Sequence, residues 1–337
     1  MPTTLTKSVG TASRDYSTGP LAAAALPSSL VTADQKWIFE FYNDSEFTGT
    51  GILFDSSGKT CDATRNIVLT AAAGQSYKDH ANVRTNPLKY NASNGVGLRS
   101  STGSWVIRPG GAYTEVRRLQ VSATGAGGIG INGAVNEGTA RKYIDCIIDS
   151  VSHYGLTMYD AALAVNVHHA ATGTGGNGFQ VGGGSTVIGC TTVRCSDQTV
   201  SNTGFTTNYG TNIMQSCAAF GYTNAADAAG WHATSSKYNA TDKASGLPGT
   251  NNQHSVTYTR TTPFTDAIST SMNFIPIAST SLAANGFRDA TNAPNDITGT
   301  ARTATPTIGA WEITAGGGGG GGTGAAMYHH LQMIGAY

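Results

Sequence analysis

The feature that most constrains the fold is a short β-like run that recurs at intervals of twenty-odd residues. The runs LQV, CII, VHH, CTT and CAA are separated by 27, 21, 23 and 27 residues. They begin at Leu119, Cys146, Val167, Cys190 and Cys217. Runs of this length that are bounded by Gly, Asn, Ser or Thr are typical of strands, and a near-constant period indicates a solenoid. In a parallel solenoid each turn adds one strand to each of two or three sheets, so these five residues are predicted to stack as an internal column.

The cysteines are better explained as buried members of this column than as metal ligands or disulfide partners. The chain has five cysteines, with no CxxC pair and no Cys/His spacing suited to a metal, and their odd number argues against a full disulfide framework. We therefore expect free, buried thiols and neither a metal nor a cofactor.

The low charge limits the partners of this chain. Only 12% of the residues are charged, and 20 Lys and Arg balance 20 Asp and Glu. Nucleic-acid binding depends on a basic surface, so no nucleic-acid partner is expected. The sequence has no apolar run long enough to span a membrane, and MPTTLTKSVGTASRDYS lacks the apolar core of a signal peptide. Neither a membrane partner nor export through a signal peptide is expected.

The ends of a stack of strands need cover, because unpaired edges invite aggregation. The stretch PLAAAALP predicts a short helix across the first turn. The expected organisation is an N-terminal cap over residues 1–35, solenoid coils over 36–234, a long excursion and closing coils over 235–313, a poly-Gly linker over 314–324 and an anchor segment over 325–337.

Three blocks resemble a known family. They are SVGTASRDYSTGPLAAAALPSSLVTADQKWIFEFYNDSEFTGTG, YNATDKAS and SLAANGFRDATNAPNDITGTARTATPTIGAWEI. The chain resembles the right-handed parallel β-helix repeat proteins of tailed phages and environmental bacteria, which include tailspike-like and virion surface proteins. The resemblance implies an all-β fold with a single right-handed parallel β-helix, and a homotrimer. The predicted N-terminal capping helix completes this fold, whereas the Gly-linked C-terminal tail after WEI departs from the commonest pattern of the family. In the closing block, Trp311 and Ile308 would cover the open core, and Asp296 and Arg302 would pair.

Carboxylates are the first candidates for catalysis, because an enzyme of this fold is expected to be a polysaccharide hydrolase or lyase. The weak candidates are Asp145, Asp149 and Asp160. Alternation along a strand places Asp145 and Asp149 on one face, but no equivalent pair recurs in the next coil. No catalytic residue is assigned on this evidence, and whether the chain is an enzyme stays open, with a non-enzymatic role favoured.

The histidines and aromatic residues can each be interpreted as part of a functional site or as part of the packing. His168 and His169 are predicted to point to opposite faces of a strand, one at the surface and one in the core or a turn, so they cannot share one metal. Four aromatic residues are suited either to stacking on sugar rings or to packing within the core or a cap, namely Trp105, Trp231, Tyr154 and Tyr159.

The C-terminal segment is the feature most suggestive of attachment. The linker contains Gly316, Gly317, Gly318, Gly319, Gly320, Gly321 and Gly322. As a helix, the following segment would carry Met327, Leu331 and Ile334 on one stripe, with Tyr328 and Tyr337 near its edges. These five residues are predicted to bind a partner, because so short a helix is marginal alone in water. The alternatives are that the tail folds back as a second cap or frays.

The leading hypothesis is a non-enzymatic phage virion structural protein of the capsid decoration or head-fibre type. Its β-helix would project outward and its tail would attach to the shell or to a partner chain. The expected location is the virion surface, after assembly in the host cytoplasm. The alternatives are a small tailspike or receptor-binding β-helix that binds or cleaves host surface polysaccharide, and a bacterial extracellular adhesin or filament subunit.

Overall fold

The structure is a computed structural model that describes residues 1–314 except 82, 86, 104, 134–138, 151–152, 174, 199–201 and 228. It is nearly all β, with three long parallel sheets that the chain visits in rotation. The predicted all-β, parallel solenoid class is therefore confirmed.

Each sheet contains one strand from each successive turn. Sheet 1 contains, in order, Thr3–Val9, Gln35–Phe41, Ile67–Ala71, Glu115–Arg117, Lys142–Ile144, Leu163–Val165, Thr186–Ile188 and Ile213–Gln215. Sheet 2 contains Phe47–Gly49, Gly97–Ser100, Gln120–Ala123, Ile147–Ser150, His168–Ala171, Thr191–Arg194, Ala218–Phe220 and Ala240–Thr241. Sheet 3 contains Phe54–Asp55, Trp105–Arg108, Ile129–Asn132, Leu156–Met158, Phe179–Val181, Thr203–Thr207 and Asn224–Ala226. Isolated parallel bridges of Lys237 with Gln215 and Thr250 continue the pairing past residue 234.

Helical and antiparallel structure is short. The helices are Gly19–Ala24 and Leu30–Ala33, the 3-10 turns are Val83–Thr85 and Ala92–Asn94, and an antiparallel pair joins Phe264–Asp266 to Asn273–Pro276. Thr18 caps the first helix through its hydroxyl, and Ala22 and Ala23 are buried in the main core cluster. The predicted Ala-rich helix is therefore present and covers core side chains.

The register of sheet 2 confirms the internal column. Ile147 pairs with Gln120 on one side and His168 on the other, and Thr191 pairs with His168 and Ala218. The five column residues each precede one of these paired positions, and all lie in the main core with at most 1% exposure. Parallel stacking at constant register requires side chains that tolerate identical surroundings, which small and apolar residues do.

The residue before each column position turns the chain from sheet 1 into sheet 2. We call these residues the corner column; they are Arg118, Asp145, Asn166, Gly189 and Ser216. Their φ angles lie between 51° and 58°, the left-handed region. Only Gly adopts this region without cost, and Asn and Asp tolerate it better than other residues.

A long segment returns along the outside of sheet 2. We call residues 256–313 the strap. Its side chains form a second apolar cluster with the outward-facing side chains of sheet 2. The sheet side contributes Ile147, Ala170, Val193, Ala218 and Phe220, and the strap contributes Phe264, Phe274, Ile297, Ile308 and Trp311 among others. From Gln120–Ala123 to Ala218–Phe220, sheet 2 is thus buried on both faces, whereas Thr48 and Arg99 in its first two strands are exposed. Tyr77 and Leu88, from an earlier segment, belong to the same outer cluster.

This packing corrects the expectation for the closing block. Trp311 and Ile308 lie on the outer face of sheet 2 and not over the open end of the core. Asp296 pairs with Arg84 at 2.9 Å, and Arg302 pairs with Glu312 at 3.6 Å, so the expected Asp296 and Arg302 pair is replaced by two others. The physical reason is that the outer face of sheet 2 is apolar, so the strap removes apolar surface from water by packing on it.

The strap is hydrogen-bonded along the corner column. Asn166 Nδ2 donates to the Asn295 carbonyl at 2.8 Å, and Arg302 Nη2 donates to Asn166 Oδ1 at 2.9 Å. Further along, the Phe287 N–H donates to Ser216 Oγ at 2.5 Å. The strap therefore crosses several turns of the solenoid and is attached to more than one of them.

Candidate functional site

The three candidate carboxylates have separate environments. Asp145 is a corner residue whose Oδ2 accepts from Lys78 Nζ at 2.6 Å and whose Oδ1 accepts from Asn166 Nδ2 at 3.0 Å. Asp160 lies at another left-handed turn, with φ 60°, and accepts from the Tyr209 hydroxyl at 2.5 Å. Both carboxylates therefore support turns between sheets.

Asp149 is the third candidate carboxylate. It faces out from sheet 2 and is 8% exposed, beneath a segment whose Tyr90 N–H donates to its Oδ2 at 3.2 Å. Its Oδ1 has no hydrogen-bond partner among the described residues. Burial raises the pKa of Asp149 to about 7, against partial compensation from the Tyr90 N–H and nearby cations. Asp149 is thus a buried acid that ionises near neutral pH.

The two histidines do point to opposite faces, but both are buried. His169 faces the core, where Nε2 lies 2.8 Å from Ser150 Oγ and Nδ1 lies 2.9 Å from Thr192 Oγ1. His168 faces outward against the Phe274 ring, with centroids 5.1 Å apart. Burial lowers the pKa of each histidine to about 3, so both are neutral. The expectation that one lies at the surface is wrong, because the strap covers the face to which His168 points.

A group of tyrosines lies on the outer side of sheet 3, with one ring exposed and the others buried or half-buried. We call it the tyrosine patch, and it consists of Tyr154, Tyr159, Gln180, Tyr209 and Asp160. Gln180 lies between the inward-facing Phe179 and Val181, so its amide points outward. The Tyr159 hydroxyl donates to the Gln180 carbonyl oxygen, and Gln180 Nε2 donates to the Tyr154 hydroxyl at 3.3 Å. One amide thereby fixes two rings.

The exposed ring of the patch is Tyr209. Its side chain is 38% exposed, and its ring lies parallel to that of Tyr159 with centroids 6.0 Å apart and an angle of 3°. Gly182 makes room for this pair, since a Cβ there would lie 2.7 Å from Tyr159 Cδ1. Burial and the hydrogen bond to Asp160 raise the pKa of Tyr209 to about 12, so its hydroxyl stays a donor at neutral pH. A ring face beside amide and carboxylate groups suits a ligand that has both apolar and hydroxyl-rich surfaces.

The sequence indicated part of this patch. Tyr154 and Tyr159 were predicted as candidates for sugar stacking, whereas Gln180 and Tyr209 were not singled out. The signal available was the alternation in FQV, which predicts an outward Gln between two buried apolar residues.

Cys146, Cys190 and Cys217 lie in the internal column, as predicted. Cys195 instead packs in the outer cluster beneath the strap, and Cys61 packs against the edge of the main core. Cys146, Cys190, Cys195 and Cys217 are buried, and Cys61 is half-buried. Burial raises the pKa of the Cys146 thiol to about 12, so it is a poor nucleophile. In the described ranges, no group of three or more His, Cys, Asp or Glu side chains is arranged to hold a metal ion.

The tail begins at the side of the solenoid. The Arg84 guanidinium lies over the Trp311 ring, 4.2 Å from its centroid, and Arg84 Nη2 donates to the Glu312 carbonyl at 2.7 Å. The Ile313 N–H donates to Thr307 Oγ1 at 2.8 Å. The predicted linker beyond Thr314, with Gly316 to Gly322, and the predicted anchor, with Met327, Tyr328, Leu331, Ile334 and Tyr337, lie outside the described residues.

Comparison with protein-family models, with curated proteins and with solved structures finds no match to this chain. Among the residues that the structure describes, no helix has the length and apolar character needed to cross a membrane.

Proposed function

We propose that this chain is a non-enzymatic virion structural protein of a tailed phage, of the capsid decoration or head-fibre type. Its body is a single right-handed parallel β-helix closed by the Ala-rich N-terminal helix. Its C-terminal tail attaches to the shell or to a partner chain at the virion surface, and the body is a homotrimer as in the proteins it resembles.

One observation carries the attachment proposal: the strap holds the last described residues at a fixed point on the body. Arg84 bonds to both Asp296 and the Glu312 carbonyl, and Trp311 is 3% exposed beneath its guanidinium. A tether that starts from a rigid point limits where its end can bind, whereas a tether from a frayed end does not. A glycine linker followed by an apolar stripe is suited to reach a neighbouring surface.

Truncation tests the proposal. We expect a chain that stops after Thr314 to keep its thermal transition and to lose binding to particles that lack the protein. In the full chain, Leu331→Asp on the predicted stripe should weaken particle binding at least tenfold. Gln332→Asp is the matched control, because it adds the same charge next to the stripe. If truncation lowers only the thermal stability, the tail is a cap and the attachment proposal fails.

A second function is favoured by the tyrosine patch, namely binding of host surface polysaccharide. Tyr209→Ala should abolish retention on immobilised polysaccharide from the host surface, and Tyr209→Phe should keep the ring and part of the affinity. His254→Ala is the control, since it removes an exposed ring elsewhere. Release of soluble oligosaccharide that is lost in Asp160→Asn would make the protein an enzyme, and equal retention of all variants would remove this function.

A further inference from the structure

The first strand of sheet 1 has a neighbour on one side. Thr3–Val9 pairs in parallel with Gln35–Phe41 over all seven residues, and it stands first in the order of the sheet. A strand in this position presents a row of main-chain donors and acceptors at its outer edge.

Hydrogen bonds show which residues face that edge. The Thr3 N–H donates to the Asp34 carbonyl and the Tyr42 N–H donates to the Val9 carbonyl, both at 2.9 Å, so the odd-numbered residues face the next strand. Ser8 faces the other way, because its N–H donates to Asp15 Oδ2 at 2.8 Å and its carbonyl accepts from the Tyr16 N–H at 3.1 Å.

Thr4 and Thr6 have the same parity as Ser8, and their main-chain groups therefore also point to the outer edge. The segment that follows the strand covers only the Ser8 end, where Val9 bridges to Tyr16. Within the described chain, nothing pairs with Thr4 or Thr6 on this side. Four main-chain groups are thus left for a partner.

Apolar side chains are concentrated at the same end. The helix Gly19–Ala24 buries Ala22 and Ala23, so Leu21 points away from the core and is 54% exposed. The helix Leu30–Ala33 likewise buries Leu30 and leaves Val31 37% exposed. With Met1, they are three of the four large apolar side chains that are most exposed in the described residues, and the fourth is Tyr209.

We propose that this end, formed by the outer edge of residues 3–7 together with Leu21 and Val31, is an interface with a second copy of the chain. A two-fold axis through Leu5 sets the edges antiparallel, and Thr4 of each copy then exchanges two hydrogen bonds with Thr6 of the other. The edge is its own complement under this symmetry, which is the requirement for an isologous contact. The exposed leucine and valine flank the new pair and are shielded from water when it forms.

This interface does not involve the tail. Its effect on particle mass also differs from that of side-by-side association, such as a homotrimer. End-to-end pairing doubles the number of copies, giving a dimer from a monomer or a hexamer from a trimer. A disrupted edge therefore halves the particle mass whatever the lateral number is.

The test is the mass of the full-length chain by light scattering. We expect Thr6→Pro and, separately, Leu21→Lys to halve the mass without lowering the thermal transition. Proline at position 6 removes an N–H that faces away from the next strand, and edge strands tolerate this. Tyr209→Lys is the control, since it places the same charge on a similarly exposed aromatic site on another face.

Three outcomes would overturn the interface. They are a wild-type mass of one or three copies, a mass that neither variant changes, and a mass that falls equally in the Tyr209 control. If Thr6→Pro fails to fold, Leu21→Lys decides, because its side chain lies mostly in solvent. Truncation after Thr314 separates this proposal from the proposed attachment: the shortened chain should keep the doubled mass even where it no longer binds particles.

Discussion

At the scale of single residues, burial decides the chemistry of the ionisable groups on sheet 2. Asp149 and His168 lie on neighbouring strands and face the same side of the sheet, yet burial shifts their pKa values in opposite directions, to about 7 and about 3. Both shifts favour the neutral form, since a charge beneath an apolar cover loses its hydration. At mildly acidic pH, Asp149 and His168 are therefore both neutral beneath the segments that cover the outer face of sheet 2.

Asp149→Asn should change how stability depends on pH. The folded pKa of Asp149 is raised above its unfolded value of about 3.9, so the folded state binds the extra proton and loses stability as pH rises from about 4 to about 7. The variant should gain about 3 kcal/mol in unfolding free energy at pH 8 relative to its difference at pH 4.5, as measured by denaturant titration.

Asp266→Asn is the matched control for this measurement. The hydrogen bond from Arg260 lowers the pKa of Asp266, so its removal should lower stability at pH 8 and not raise it. An Asp149→Asn effect that is the same at both pH values would contradict the assignment.

At the scale of elements, the corner column and the strap depend on each other. Gly189 is a corner residue that lies beside Arg302, and a Cβ at this position would lie 2.7 Å from Arg302 Nη2. The left-handed φ of 57° is a second reason for glycine here. The guanidinium donates to Gly309 and Thr307 carbonyls, so displacing it loosens the strap as well as the turn.

Gly189→Ala should therefore cost more than the backbone strain alone. Gly184→Ala is the control, since it also has a left-handed φ, of 77°, but a Cβ at this position would have no other atom within 4 Å. We expect about 1 kcal/mol for Gly184→Ala and about 2–3 kcal/mol for Gly189→Ala, measured by thermal unfolding. If both variants lose the same free energy of unfolding, the Arg302 side chain can move away from the new methyl group without cost.

The strands and their stacking could be predicted from sequence, but the cover of sheet 2 was missed. Repeated register fixes a column such as Cys146 above Leu119, because parallel turns place equivalent residues at equivalent points. The strap is a contact between segments far apart in sequence, and no local pattern specifies it. The sequence did carry one signal for this cover. In KYIDCIID, apolar residues occupy both odd and even positions, which is typical of strands that are buried on both faces. The tyrosine patch was only half recognised, since Tyr209 joins it through the stacking of turns.

At the scale of the whole molecule, the strap ties distant turns together. The Arg84 contacts with Asp296 and the Glu312 carbonyl span 212 and 228 residues of sequence. In a simple stack each turn contacts only its neighbours, and stability is close to a sum of local terms. The strap adds terms that depend on several turns at once, so we expect one cooperative transition.

Arg302→Met should release the strap while the sheets persist. The variant leaves Glu312, which is 1% exposed, without its buried cation, and breaking such a pair typically costs about 3–5 kcal/mol. Limited proteolysis should then cut within residues 256–313 before it cuts the body. Arg260→Met breaks an ion pair whose cation is 59% exposed and should leave the cleavage rate nearly unchanged. The same cleavage pattern in both variants would argue against the strap as a clamp.

The late position of the strap in the chain has a consequence for synthesis on the ribosome. Turns of the solenoid can form one after another as they leave the exit tunnel, but the part of the outer face of sheet 2 that the strap covers stays open until residues near Glu312 have emerged. During that interval Ile147, Val193 and Phe220 are open to water and to other nascent chains. Slow synthesis of the final stretch should therefore prolong this exposure and lower the yield of soluble protein.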